Sequence, residues 1–238
     1  MSGLTAGVSR FGGDDGSADP RVIAALADLA AGRGSEHAAL LWLARSRLLV
    51  PIVAAAVGGR QASEIAAGEK ASEMSVPTLI GADGRPAIPA FTCTDTLRRW
   101  RQEARQVPTE AAAVWQAAVA DGCAVVIDVA GPVPVAIEGT RLAALAGGGP
   151  VPLPYQDPDV LTAVRSAAAG QAVAGLSLAD GGADCDLVIR LTLAAGCGPA
   201  QAEQAAGVLA TEVMARLGGR LRRGIAIELD AGTPPAGP

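Results

Sequence analysis

The 238-residue chain is half hydrophobic, but only 3% of its residues are aromatic and 18% are charged, and its net charge at neutral pH is −5. The apolar fraction suffices for one large core or two small ones. The acidic balance argues against a nucleic-acid-binding protein, which would carry a basic excess. The longest apolar run, residues 40–57, is interrupted by Arg45, Arg47 and Pro51. We therefore expect no membrane span.

The N-terminal part predicts two helices and a buried strand. Residues 1–19 are rich in Gly, Ser and Asp, without the apolar core of a secretory signal, and predict a disordered tail on a cytoplasmic protein. Pro20 suits the first position of a helix that ends at the glycines around position 33. A second helix follows a Ser35 cap. Residues 48–57 read as a buried strand.

Residues 71–105 contain a predicted β-hairpin and a basic helix. Strand-like residues 76–80 and 86–92 flank an Asp83-Gly84 turn. Proline cannot donate to a strand ladder, so the prolines of this hairpin predict strand ends or edges. A Thr94–Thr96 cap precedes a helix over 97–105, which contains Trp100. The elements expected next are a helix over 108–120, strands over 124–129 and 133–137, and a helix over 140–145.

A Gly- and Pro-rich stretch at 147–157 reads as a linker between two domains, 20–146 and 158–230. The second domain predicts an αββαβ order, and residues 231–238 predict a disordered tail. The fold class expected is α+β, with two small domains that each pack a short sheet against helices. The predicted elements are a helix over 158–169, strands over 172–179 and 185–194, a helix over 199–217 and a strand over 224–230.

The sequence contains no recognisable catalytic, metal-binding or cofactor-binding set. Its four cysteines, at positions 93, 123, 185 and 197, include no closely spaced pair for zinc. The sole histidine, His37, fits the first turn of a helix, and neither a nucleophile elbow nor a phosphate-binding loop is present. Cys197 is the one candidate for a reactive thiol, because it precedes a helix. We expect no enzyme, no metal and no cofactor.

Residues 47–137 resemble the N-terminal domain of the SseB family of bacterial proteins. The resemblance rests on residues 48–53 and 73–79, on the hairpin with its Asp83-Gly84 turn, on Leu97 with Trp100, and on Asp128 before Gly131-Pro132. The half after the linker is similar to the family's C-terminal domain in element order. The family is named for enhanced serine sensitivity, a phenotype that gives no mechanism. The resemblance implies a non-catalytic, cytoplasmic bacterial protein, and the Arg-rich, Lys-poor composition suggests an actinobacterial source.

The expected function is protein binding or regulation through the hairpin 76–92 and the helix after it. An edge-like strand can accept a partner strand. Scarce aromatic residues beside arginines would suit an interface, although Phe91 and Trp100 equally fit core packing. The partner is expected to be a protein, neither nucleic acid nor membrane, and homo-oligomerisation stays open. The candidate binding residues are Glu73, Pro77, Pro89, Phe91 and Trp100.

Two other functions stay open. A small-metabolite sensor would hold its ligand between the two domains, and a thiol-dependent enzyme would use Cys197. Two basic patches, Arg98–Arg105 and Arg220–Arg223, are expected as solvated faces. The aspartates at 180, 184 and 186 lack the spacing of a calcium loop.

Overall fold

The computed structural model describes residues 11–54 and 74–230. Within them the chain forms helices and three small sheets, which confirms the α+β class. The helices are α1 (Pro20–Ala30), α2 (Glu36–Leu43), α3 (Thr94–Trp100), α4 (Ala111–Ala120), α5 (Gly139–Ala146), α6 (Pro158–Ala168) and α7 (Pro199–Leu217). The strands are β1 (Arg47–Ala54), β2 (Met74–Ser75), β3 (Leu79–Ile80), β4 (Pro86–Ala90), β5 (Arg105–Glu110), β6 (Ala124–Ile127), β7 (Val135–Ile137), β8 (Val173–Ala179), β9 (Leu187–Leu193) and β10 (Ile225–Asp230).

The chain divides into two compact units that differ from the predicted domains. Unit 1 contains Met1–Asp19 and Arg45–Glu138, and unit 2 contains Pro20–Ala44 and Gly139–Pro238. Helices α1 and α2 thus belong with the C-terminal half of the sequence. The division between the units therefore does not coincide with the expected linker at 147–157.

Unit 1 is built on two sheets joined at one residue pair. Their strand orders are β2-β1-β5 and β3-β4-β6-β7, with β4 parallel to β6. Leu49 and Phe91 exchange both backbone hydrogen bonds, at 2.7 and 2.9 Å, and so connect β1 to the end of β4. Buried apolar residues from β1, β4 and β6 pack with Trp115 of α4, whose side chain is completely buried. These contacts make β1 a central strand, as its apolar sequence predicts.

Residues 11–19 of unit 1, which we call the strap, form no helix or strand. Gly16 is the only buried residue of the strap. Its carbonyl accepts a hydrogen bond of 2.8 Å from the Thr94 N–H at the start of α3. The strap is therefore attached through polar contacts and contributes little to the apolar core.

Unit 2 contains one sheet, with the order β10-β9-β8, in which β9 is parallel to β10 and antiparallel to β8. The predicted αββαβ order is confirmed as α6-β8-β9-α7-β10. Helix α7 has the predicted bounds, because Pro199 occupies its first position and Gly218 follows its last residue. The core of this unit combines one face of α6 and α7 with β9. Its completely buried members are Val160, Val164, Leu187, Ile189, Leu191, Leu209 and Val213.

Several predicted boundaries are wrong around α3 and α4. The predicted helices were 97–105 and 108–120. The residues where the first was expected to end and the second to begin form β5 instead, in which Pro108 is paired with Leu49. Proline fits there because β5 is an edge strand bonded to β1 alone. Pro89, in contrast, lies in β4 between two strands. It is tolerated because the short β3 pairs only with residues 86 and 87.

Candidate functional site

Helix α3 carries an open surface groove of about 540 Å³ in unit 1. It is lined by Asp95, Arg98, Arg99 and Gln102, and we call it the α3 groove. Both arginines are exposed in the last turn of the helix, where the helix dipole favours positive charge. Neither forms an ion pair among the residues that the structure describes. The groove therefore presents two guanidinium groups that are available to an anionic ligand.

The α3 groove rests on a buried apolar support. Leu49, Phe91 and Leu97 are almost completely buried and form one cluster. Trp100 packs against this cluster while remaining half-buried. Its ring lies 5.5 Å from that of Phe91, and the Arg101 guanidinium lies 5.0 Å from the Trp100 ring centroid. Of the two aromatic residues, only Trp100 has surface to offer a partner.

The five candidate binding residues do not form one exposed surface. Phe91 and Pro89 are buried, so core packing, the alternative for Phe91, is the role observed. Pro77 is half-buried, as is Trp100. Glu73 lies outside the described residues. The exposed arginines Arg98 and Arg99 lie instead on α3, and they already stand out as part of a basic run in the sequence.

The start of α3 is fixed by a buried carboxylate, Asp128, which supports the family resemblance but had no predicted structural role. Asp128 follows β6 and accepts hydrogen bonds from the Thr92 N–H at 2.9 Å and from the Thr92 and Thr96 hydroxyls at 2.6 Å each. Its backbone has φ of +48°, a left-handed conformation that Asp tolerates better than most residues. The predicted Thr94–Thr96 cap is wrong, because Cys93 holds the cap position without a side-chain bond.

Arg47, the first residue of β1, joins the strap to the same region. Its guanidinium makes a two-pronged ion pair with Asp14, in which Nη2 lies 2.8 Å from one carboxylate oxygen and Nε bonds the other. The remaining donors reach the Thr92 carbonyl at 2.9 Å and the Ser17 carbonyl at 2.6 Å. The Asp14 and Arg47 side chains are only 10% and 13% exposed. No local pattern indicates this pair, because its members lie far apart along the chain.

Unit 2 contains a second buried arrangement, which we call the acid–arginine cluster (Glu36, Arg141, Asp157 and Arg220). Arg141 lies 2.6 Å from Glu36, and Arg220 bridges Glu36 at 3.4 Å and Asp157 at 2.6 Å. Burial, and secondarily the nearby charge of Arg220, lower the pKa of Arg141, whereas Glu36 opposes the shift. The adjoining cavity of about 10 Å³ is too small for a ligand. The cluster therefore holds α2, α5 and α6 together and offers no binding site.

The expectation that Arg220–Arg223 form a solvated basic face is wrong for Arg220 and Arg223, whereas Arg222 is exposed as expected. Arg220 belongs to the acid–arginine cluster, and Arg223 pairs at 2.8 Å with Asp186, whose side chain is 1% exposed. Asp186 accepts a second bond from the Arg223 N–H. Burial of these acids requires the positive partners. Asp186 is thus occupied by arginine and is not arranged for a cation.

The described residues include no group of three or more His, Cys, Asp or Glu side chains arranged to hold a metal ion. Cys197 lies two residues before α7, as the sequence predicts, and is half-buried with its sulfur 3.9 Å from the Gly198 carbonyl.

No helix among residues 11–54 and 74–230 is long and apolar enough to cross a membrane.

Residues 22–144 match the family model described as the SseB protein N-terminal domain, which is just over half of the chain. No curated protein and no solved structure matches the chain. The matched range includes α2 to α4, β1 to β7 and most of α1 and α5, and therefore draws residues from both units. The region predicted as a C-terminal family domain, 158–230, lies outside the match, and its resemblance stays a prediction.

Proposed function

The chain belongs to the SseB family, and from this premise we propose that it is a non-catalytic, cytoplasmic binding module whose α3 groove takes an acidic segment of a protein partner. The observation that carries the proposal is the pair of exposed arginines, Arg98 and Arg99, in an open groove on a rigid base. Guanidinium groups recognise carboxylates through two parallel hydrogen bonds.

Local charge supports an acidic partner. The whole chain carries a net charge of −5, yet residues 98–105 contain four arginines and one glutamate. A positive patch on a negative protein steers acidic segments to that patch and repels them elsewhere. Glu103, the one acid of this run, lies 3.6 Å from Arg101. Asp95 is the one acid of the groove lining, so Arg98 and Arg99 leave the lining with a positive excess.

The anchoring of α3 favours a binding role for its exposed arginines over the alternative that they only face solvent. Binding costs less entropy when the recognition groups project from a fixed scaffold. Helix α3 is anchored by Leu97 in the core and by the Thr96 bond to Asp128. Trp100, which contacts the Phe91 ring and the Arg101 guanidinium, adds the residue type most often found at the energetic centre of interfaces.

The test compares two double variants with the same change of charge. Tagged Arg98→Glu/Arg99→Glu protein, Arg165→Glu/Arg222→Glu protein and wild type are used to recover partners from the native cytosol. Arg165 and Arg222 are exposed arginines of unit 2 and serve as the matched control. We expect a discrete partner with the wild type and the control, and at least a tenfold loss with the groove variant.

The same material separates the proposal from a small-molecule sensor. An acidic partner should dissociate with rising salt, because exposed charge pairs are screened. Equal recovery with both double variants would contradict the groove assignment. Absence of any partner, together with a rise in melting temperature from one compound of a metabolite panel, would favour a sensor instead.

A further inference from the structure

The strap occupies a binding site through contacts that another peptide could reproduce. Asp14 places its carboxylate in the fork of Arg47, and Gly16 places its carbonyl 2.8 Å from the Thr94 N–H. We propose that this site binds a peptide segment with the sequence Asp-x-Gly, supplied by a partner protein, and that the strap is its occupant within the chain. None of these residues lines the α3 groove, so the inference does not depend on the proposed function.

The receiving side of the site is built and nearly buried. The Arg47 side chain is 13% exposed, and its Nη1 bond of 2.9 Å to the Thr92 carbonyl fixes the plane of the guanidinium. Thr92 is itself held by Asp128 through two hydrogen bonds. A charged, two-pronged pair of this kind fixes the position of a carboxylate as well as contributing affinity. The receptor groups therefore stay in place when the strap leaves.

The backbone conformation at Gly16 requires a glycine at the third position of the Asp-x-Gly segment. Gly16 has φ of +78°, which side-chain-bearing residues rarely adopt, and a Cβ at this position would overlap the Thr94 hydroxyl. That hydroxyl is itself engaged, donating a bond of 2.7 Å to Gln106. The residue between, Asp15, is exposed, and within residues 11–54 and 74–230 its side chain accepts hydrogen bonds from Ser17 of the strap. The site thus selects the first and third positions and leaves the middle one open.

The strap itself is suited to exchange. Its one large apolar residue, Phe11, is only half-buried, and the remaining residues are Gly, Asp, Ser and Ala. Segments with little apolar burial open at low free-energy cost, without unfolding of the core. Because the strap belongs to the same chain as its site, its docking is intramolecular and is favoured over the binding of a free peptide. An added peptide therefore competes poorly with an intact strap.

The test uses the full chain and a synthetic peptide of residues 11–19 with blocked ends. We expect the peptide to bind Asp14→Ala protein about tenfold or more tightly than wild type, because the weakened strap vacates the site. Binding is measured by fluorescence anisotropy. Peptides with Asp14→Asn or Gly16→Ala should each bind at least tenfold more weakly, and an Asp15→Ala peptide should bind equally well.

Two results would overturn the proposal. One is failure of the peptide to bind the Asp14→Ala protein, and the other is equal binding of the Asp14→Asn peptide. An Asp14→Ala/Arg47→Gln protein, checked for folding by its melting curve, should lose the binding. If Asp14→Ala protein does not fold, Asp14→Asn protein replaces it. The peptide variants decide the specificity without any further change to the protein.

Discussion

Each unit contains a nearly buried arginine paired with a carboxylate that is distant in sequence, but the two pairs differ in what surrounds the acid. In unit 2, Glu36 begins a helix that also buries Leu40 and Leu43. In unit 1, Asp14 lies in the strap, which has little apolar anchorage. The consequence of breaking a buried ion pair therefore depends on whether the acid can move away from the arginine without disturbing the core. The Glu36 carboxylate cannot move away unless part of the unit 2 core moves with it. Asp14 can move away with the strap while the unit 1 core stays in place.

The largest effect is expected from Glu36→Ala in the acid–arginine cluster. Removal of the acid takes away the carboxylate that lies 2.6 Å from Arg141, a residue that is only 3% exposed. Breaking a buried pair in this way costs about 3–5 kcal/mol of unfolding free energy. The measurement is hydrogen exchange at increasing urea, read on peptides from α6 and α7, which reports unit 2 separately.

Two controls make the result for Glu36 specific. Asp28→Ala breaks an ion pair with Arg33 in which both side chains are more than half exposed. This change should cost less than about 1 kcal/mol. A Glu36→Leu/Arg141→Met protein removes both charges and should recover much of the lost stability. Equal losses from Glu36→Ala and Asp28→Ala would contradict the importance of burial.

An intermediate effect is expected from Asp128→Ala in unit 1. The change leaves the Thr92 N–H and two threonine hydroxyls without their acceptor. Buried donors that lose a partner cost about 2–3 kcal/mol in total here, since the hydroxyls can find other acceptors. Asp128→Asn keeps one carbonyl acceptor and tolerates the positive φ, so its loss should be smaller.

The Asp128 variants are measured by urea unfolding, followed by exchange in β4 and β6 peptides. Asp121→Ala, at an exposed aspartate of the same unit, is the matched control and should leave the midpoint almost unchanged. An Asp128→Asn loss as large as that of Asp128→Ala would show that charge, and not backbone conformation or hydrogen-bond count, dominates at this position.

A small global effect is expected from Asp14→Ala. The strap should detach and admit water to Arg47, so the charge regains solvation and unit 1 loses less than about 1 kcal/mol. Exchange at the Gly16 and Thr94 amides should nevertheless rise strongly, because both hydrogen bonds depend on the docked strap. If β4 and β6 lose protection from exchange together with the strap, the Asp14–Arg47 pair supports the core as the Glu36–Arg141 pair does, which contradicts the difference inferred between them.

The order of elements could be predicted where local signals agree. Helix α7 combines an apolar stripe with Pro199 at its start and Gly218 after its end, and its predicted bounds are confirmed. The Ser35 cap of α2 is confirmed by a bond of 3.2 Å from the Ala38 N–H. Such signals act within one or two helical turns and can be read directly from the sequence.

The ion pairs and the division into units could not be predicted in this way. Glu36 and Arg220 lie 184 positions apart, and nothing local indicates that they meet. Helices α1 and α2 carry an amphipathic pattern that would suit either unit. The arginines of α3 and those after α7 have similar sequence patterns, but only the latter meet buried acids. Charge pairing therefore depended on the tertiary fold, and the sequence could offer only candidates.

The smallest effect is expected at an exposed pair, which extends the comparison to full solvation. Bonds from the Arg85 backbone N–H and guanidinium hold the pKa of Asp83 below its ordinary value of 3.8. Because the folded-state pKa is depressed, the contribution to stability is present above pH 3.8 and is lost as the pH falls through the folded-state pKa. Carboxyl NMR titration should give a midpoint below 3.8 in the wild type. It should lie closer to 3.8 in Arg85→Gln protein, which keeps the backbone bond and loses the charge. An unchanged midpoint in that variant would assign the shift to the backbone N–H alone.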